Sequence, residues 1–292
     1  MIYDAIIIGA GPSGLTAAIY LLRANKKVLI LEKETIGGQI SSSPLVENYP
    51  GYMSISGSEL SNNMYDQVIN LGGEIELEEV INIKENEVIT EDNTYQTKTI
   101  IIASGCKPRV LGLENEENLI GNGIHFCVSC DGAFYKDKKV AVIGGGNSAV
   151  INAIALSDYC KEVILIQNLE FLTAEKNLID KLEKKENVKI ILNSVIDKYI
   201  GEDTLEGIII SNGEEITLDG LFLSIGQVPN SSFLKEFLDI NEYNYINSND
   251  CTTKYPNIFV AGDVRTKNVR QLTTATSDGT TCAIMAINYL ND

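Results

Sequence analysis

Asp4-Ala-Ile-Ile-Ile-Gly9-Ala-Gly11-Pro12-Ser13-Gly14 stands at the head of the chain, and its reading decides the fold. A short apolar run ends on three glycines at the spacing GxGxxG. Leu15-Thr-Ala-Ala-Ile-Tyr-Leu-Leu22 follows with helical character, and a second apolar strand, Val28-Leu-Ile-Leu-Glu32, closes on an acid. Strand, glycine turn, helix and strand make a βαβ unit whose glycines allow a tight turn and close approach of a pyrophosphate to a helix N-terminus. An acid at the end of the second strand is placed to accept hydrogen bonds from a ribose.

The same unit recurs about 135 residues later as Lys139-Val-Ala-Val-Ile-Gly144-Gly-Gly146-Asn-Ser-Ala149, a helix to about Leu156 and the strand Glu162-Val-Ile-Leu-Ile166. Two such units predict an α/β chain of two doubly wound, Rossmann-like dinucleotide-binding modules, one inserted in the other. Glu87-Val-Ile-Thr90 and Thr99-Ile-Ile-Ile-Ala103 supply further strands to the first module, and Asp219 to Gly226 one to the second. Asn257-Ile-Phe-Val-Ala-Gly262-Asp263 reads as a buried strand ending on a turn, with a helix from about Leu272 to Leu290. The predicted boundaries are 1–109 with 238–292 for the first domain and 112–235 for the second.

Six cysteines occur, and only Cys127 and Cys130 lie close together. In Cys127-Val-Ser-Cys130-Asp131-Gly132 two thiols can form a small-loop disulfide that exchanges with an external dithiol. Asp131 is a candidate acid or base for the leaving thiolate. A four-cysteine zinc site would need a second close pair, which the sequence lacks, and there is one histidine, His125. No metal is expected. The net charge of −17 disfavours general nucleic-acid binding. No apolar run approaches the ~20 residues of a membrane helix. The opening strand lacks the basic flank of a signal peptide, so the expected location is the cytoplasm, away from membranes.

Several segments resemble the low-molecular-weight thioredoxin reductases, in order along essentially the whole chain. They are Gly37-Gly-Gln39-Ile40, Val46-Glu-Asn48-Tyr-Pro-Gly51, Ala103-Ser-Gly105, the Cys127–Gly132 stretch, Gly220 to Gly226, and Ala261-Gly262-Asp263-Val with Arg270-Gln271. The resemblance implies a homodimer with FAD in the first module. Gly9, Gly11, Pro12, Ser13 and Gly14 would hold the pyrophosphate, and Glu32 with Lys33 the adenosine end. Gly38, Gln39 and Asn48 would lie near the flavin, lined by Ala103 and Gly105. Gly262 and Asp263 would hold the ribityl chain, and Arg270 and Gln271 would approach the ring system. Cys130 would face the flavin and Cys127 the thioredoxin disulfide.

The second module departs from that pattern. Where the resembled family carries a His-Arg-Arg-x-x-x-Arg run for the 2′-phosphate of NADPH, this chain has Gln167-Asn168-Leu169-Glu170-Phe171-Leu172-Thr173. Ile151 and Asn152 replace two glutamates, and Gln227 replaces a histidine. Each lost arginine removes a charge-assisted bond worth about 1.5–3 kcal/mol. This pattern resembles the ferredoxin-dependent flavin thioredoxin reductases, which makes reduced ferredoxin the expected donor. A ferredoxin near −400 mV lies about 130 mV below thioredoxin, a drop of about 6 kcal/mol for two electrons. Both partners being acidic, docking would need a local cluster, for which Lys107, Arg109, Lys267 and Arg270 are candidates. The competing expectations are an NAD(P)H-dependent enzyme of relaxed nucleotide specificity, a flavin dithiol oxidase, and a non-catalytic FAD-binding sensor.

Overall fold

The computed structural model describes residues 1–43 and 46–292 and forms two compact units, residues 1–107 with 228–292 and residues 108–227. The first is built on a seven-stranded sheet in the order Glu74–Leu77, Val28–Glu32, Ile2–Ile8, Thr94–Ile102, Glu87–Thr90, Val80–Lys84, with Ile258–Val260 paired to Thr94–Ile102. The central strands run parallel, Ile7 opposite Ile30 and Ile101. Their buried stretches, residues 5–8, 28–31 and 100–102, are unbroken apolar runs because both faces are covered, as parallel sheets require. Ala5, Ile7, Ile30 and Ile101 point to one core, shared with the helices Pro12–Arg23 and Leu272–Asn291. Ile6, Ile8, Leu29, Leu31, Ile100 and Ile102 point to the other.

The second unit repeats the plan with a parallel five-stranded sheet, Val188–Ile191, Glu162–Ile166, Lys139–Ile143, Gly220–Leu223 and Ile124–His125. Alternation again splits the strands, Val140 and Val142 to one core, Ala141 and Ile143 to the other. A three-stranded antiparallel sheet, Ile196–Ile200, Gly207–Ile210 and Glu215–Thr217, is attached. The α/β class and the two Rossmann-like modules are therefore as the sequence predicts. Among the described residues no helix is long and apolar enough to cross a membrane.

One contact positions the first glycine turn. Gly279, on the helix Leu272–Asn291, lies where a Cβ would stand 2.2 Å from the Ser13 carbonyl oxygen, and a Cβ on Gly14 would stand 1.9 Å from the Gly9 oxygen. Two helices thus meet backbone to backbone at the turn, which side chains at either position would pry apart.

Candidate active site and cofactor cradle

Gly9 turns the chain at φ +106°, beside the Ala103 carbonyl, a conformation and a closeness open to glycine alone. Gly11 caps the helix Pro12–Arg23 with proline in its first turn, so the first amides after it lack intrahelical partners. Glu32 ties the turn down: one carboxylate oxygen accepts from Ala10 N at 2.8 Å and the other from Glu34 N at 2.9 Å. Gly38 abuts Gly11. Ser13 lies against Gly262, whose amide donates to Asp278 Oδ2 at 3.0 Å. Asp278 also binds Arg265 and Lys267, each at 2.8 Å.

Other predicted cofactor residues are engaged differently. Arg270 donates to the carbonyls of Asp263, Arg265 and Lys267 and stacks over the Tyr245 ring at 4.2 Å, fixing the loop that carries Asp263. Gln271 and Thr274 form a capping box on the last helix. The Gln39 amide donates to the Cys106 carbonyl, next to Gly105. Lys33 pairs at the surface with Glu34 and Glu79, and Asn48 is exposed.

Cys127 and Cys130 are joined in a disulfide, with both residues half-buried. Cys127 caps the short helix Val128–Asp131, and its carbonyl accepts from Asp131 N at 3.0 Å. Asp131 is buried. Its Oδ2 lies 3.4 Å from Nδ1 of His125, whose Nε2 is 2.7 Å from the Tyr135 hydroxyl. Neither His125 nor Tyr135 is a candidate site residue on the sequence alone, where the available signal is a lone histidine two residues before the redox pair. The remaining cysteines are buried thiols. Burial pushes Cys106 up to about 12 and Cys160 to about 11, which keeps them protonated and out of exchange chemistry. Among the described residues no group of three or more potential metal ligands is assembled.

In the second unit Gly144 turns at φ +126° and Gly146 caps the helix Asn147–Ser157. Gln167 takes the place that Glu32 holds in the first unit. Its side chain lies over Gly145, accepting from Asn168 N at 3.2 Å and donating to the Phe171 carbonyl at 3.4 Å. Asn152 donates to Ser224 Oγ at 2.9 Å, Ile151 is exposed, and Oε1 of Gln227 is buried without a partner among the described residues.

Residues 3–279 match the family of pyridine nucleotide-disulphide oxidoreductases. The chain belongs to that family. Within it, the thioredoxin reductase of Bacillus subtilis is 37% identical over 100% of this chain and 96% of its own. A 34.2 kDa protein in the rubredoxin operon of Clostridium pasteurianum is 43% identical over 98% of this chain and 97% of its own. The crystal structure of thioredoxin reductase from Streptococcus pyogenes superposes with a TM-score of 0.94 at 37% identity, covering 99% and 98% of the two chains. The chain is a flavin-disulfide oxidoreductase of the thioredoxin reductase type, with Cys127–Cys130 as its redox-active disulfide.

These relationships correct the expectation of a ferredoxin-dependent branch with ferredoxin as donor. The match to the pyridine nucleotide-disulphide oxidoreductases runs through the whole second unit, and the similar proteins are thioredoxin reductases. The missing arginines speak to a 2′-phosphate, whereas the glycine turn and helix N-terminus that serve the rest of a dinucleotide are intact. The cations read as a ferredoxin patch are also engaged internally. Lys107 pairs with Glu34, Lys267 is buried on Asp278, and Arg270 is spent on carbonyls, while Arg109 is exposed.

FAD is the cofactor, and one orphaned atom in the first unit fits it. Asp263 Oδ1 is buried with no partner among the described residues. Burial drives the Asp263 carboxyl above its ordinary range, with Asp278 adding to the rise and Lys267 and Arg270 opposing it. A buried acceptor of this kind calls for a donor such as a polyol hydroxyl.

Proposed function

We propose that the chain is an NAD(P)H-dependent thioredoxin reductase of relaxed nucleotide specificity, working as a cytoplasmic homodimer. The reading is carried by an exchange-ready disulfide followed directly by a buried carboxyl, Asp131, in a chain with two dinucleotide turns. Its relatives named thioredoxin reductase support the choice of client.

In this reading the unit of residues 1–107 and 228–292 holds FAD, and that of residues 108–227 takes the nicotinamide nucleotide. The Gly9–Gly14 turn holds the pyrophosphate, Glu32 the adenosine ribose and Asp263 the ribityl hydroxyls. Bound FAD supplies the two-electron carrier between nicotinamide and disulfide. The chain's own groups do the rest. Reduced Cys127, as a thiolate, attacks the thioredoxin disulfide; one thioredoxin sulfur leaves with the electron pair and takes a proton. Cys130, deprotonated by Asp131, then attacks Cys127 Sγ, which releases the second thioredoxin sulfur and restores the Cys127–Cys130 bond. The net change is NAD(P)H, a proton and a disulfide giving NAD(P)⁺ and a dithiol. Relaxed specificity follows from Gln167, which is neutral, while Glu170, which would repel a 2′-phosphate, tilts the preference toward NADH.

The test is anaerobic reduction of the yellow protein by NADH and by NADPH separately, with thioredoxin present. Both should support turnover, with kcat/KM values within about tenfold of each other. Turnover with neither nucleotide would overturn the proposal. Cys130→Ser should trap a mixed disulfide with thioredoxin through Cys127; an adduct formed only on Cys130 in the Cys127→Ser protein would reverse the two roles.

A further inference from the structure

Behind the Cys127–Cys130 loop, Asp131 is backed by two buried polar residues, His125 and Tyr135, that the mechanism above leaves unused. His125 ends the short strand Ile124–His125 and pairs in register with Phe222 of the neighbouring parallel strand. The imidazole lies 5.5 Å from the Phe222 ring and 5.4 Å from the Tyr135 ring, centroid to centroid. Tyr135 packs in turn against Gly220, where a Cβ would stand 2.2 Å from the phenol ring. These contacts hold the imidazole with Nε2 toward the Tyr135 hydroxyl, at 2.7 Å, and Nδ1 toward Asp131 Oδ2, at 3.4 Å. His125, Asp131 and Tyr135 are all buried.

The direction of the chain follows from Tyr135. Burial, with the charges of Asp131 and Asp219, pushes its phenol up to about 12, so it keeps its proton near neutrality. Lys138 lies over the same ring at 5.4 Å. A protonated phenol donates to Nε2, and a neutral imidazole that accepts at Nε2 carries its hydrogen on Nδ1. That hydrogen faces Asp131. A separation of 3.4 Å is longer than a formed bond, so the contact tightens when Asp131 gives up its proton and becomes a charged acceptor.

We propose that His125, locked in one tautomer by Tyr135, is a positioning residue for Asp131: it offers Nδ1–H to the carboxylate and so sets the pH range in which Asp131 can deliver a proton to the redox pair. The inference rests on the acid–base role given to Asp131 above, but on neither thioredoxin nor nucleotide.

The test reduces the Cys127–Cys130 disulfide with a water-soluble trialkylphosphine and counts the thiols formed by alkylation after an acid quench. The phosphorus lone pair forms a P–S bond to one sulfur, the S–S bond breaks, and its electron pair leaves on the other sulfur, which takes the Asp131 proton. Water then cleaves the P–S bond, giving the phosphine oxide and the second thiol. Rates are compared as the ratio of variant to wild type between about pH 4 and 8, where carboxyl groups titrate. Without the Nδ1–H donor the charged form of the carboxyl loses a partner that its protonated form does not use. For His125→Leu the ratio should therefore climb about tenfold from the acid to the alkaline end. Tyr135→Phe, which preserves the packing, should climb in the same sense by less. His125→Asn, whose amide N–H can stand in for Nδ1–H, should give a flat ratio. A His125→Leu or Tyr135→Phe ratio that is depressed equally at every pH would mark a structural role and overturn the proposal. If Asp131→Asn is reduced like wild type throughout, Asp131 is not the proton donor and the inference falls with that role. Failure of thioredoxin or nucleotide turnover would leave this assay untouched.

Discussion

Replacing Asp263 by asparagine is expected to move two measurements in opposite directions. Oδ1 of Asp263 is buried without a partner among the described residues, and burial holds the carboxyl above its unfolded range. Between the unfolded and folded pKa values the native chain binds more protons, so stability falls as pH rises through that window and stays reduced at neutral pH. An unsatisfied buried polar group costs roughly 1–3 kcal/mol. The nearby Lys267 and Arg270 charges place Asp263 at the low end. Asparagine removes the charge, so Asp263→Asn should stabilise the apoprotein by about 1 kcal/mol. That is a rise in Tm of roughly 2–4 °C for a unit of this size, and the gain should vanish in acid, where the wild-type carboxyl is protonated. FAD binding should go the other way. A hydroxyl donating to a carboxylate makes a bond about twice as strong as one to a neutral amide. Losing that difference, about 1–1.5 kcal/mol, weakens binding about tenfold. Thermal unfolding of stripped protein and fluorescence titration with FAD read the two effects. An apoprotein destabilised at neutral pH, or an FAD affinity unchanged within twofold, would refute the assignment of Asp263 to the cofactor.

Three further perturbations follow from the geometry. Gly14→Ala places a Cβ 1.9 Å from the Gly9 carbonyl oxygen, so the turn must open; overpacking of about 1–3 kcal/mol and protein purified with depleted FAD are expected, by unfolding and by absorbance. Asp278→Asn strips the partner from Arg265 and Lys267, whose side chains are only 14% and 7% exposed, for an expected loss of roughly 3 kcal/mol in urea unfolding at pH 7. Burial would raise the Asp278 carboxyl, but hydrogen bonds from Arg265 and Lys267 hold it below its usual range. Its contribution is therefore fully present above the unfolded carboxyl pKa, about 3.9, and is lost as pH falls through the folded value. The gap between variant and wild type should accordingly shrink in strong acid. Gln167→Glu should raise kcat/KM for NADH and lower it for NADPH, each about tenfold; better use of NADPH would contradict the placement of that side chain at the ribose.

The framework was legible because two local signals agreed. Apolar runs such as Ala5–Ile8 and Val140–Ile143 are what strands covered on both faces must look like, and each ends on a glycine turn that the backbone needs. The redox pair was legible for the same local reason. The polar chain behind it was not. His125 meets Tyr135 and Asp131 because the strand Ile124–His125 docks beside Gly220–Leu223, a pairing between segments far apart in sequence. Asp278 was equally hidden: a mid-helix acid reads as surface until the loop carrying Arg265 and Lys267 folds onto it. The donor was misread because absent arginines report a missing phosphate grip, and say nothing of whether the turn beneath still stands.

The two modules of this one chain show what the missing charge changes. The separation between Ala10 and Glu32 is 22 residues, and the same separation divides Gly145 from Gln167, so one scaffold presents a carboxylate in one unit and an amide in the other. A carboxylate only accepts; after binding Ala10 N and Glu34 N, Glu32 still has lone pairs to offer a ribose diol. An amide donates as well as accepts, and Gln167 turns both functions onto its own loop, at Asn168 and Phe171. A nucleotide entering the second unit therefore meets the glycine turn and the helix N-terminus, both indifferent to a 2′-phosphate, and an end residue that neither holds a ribose with charge nor repels a phosphate with it. Discrimination is left to Glu170, which is exposed and therefore screened, and whose effect should fade as salt is raised. The ratio of NADH to NADPH efficiency should thus drift toward one with ionic strength in the wild-type protein, and a buried arginine grip would instead have held it constant.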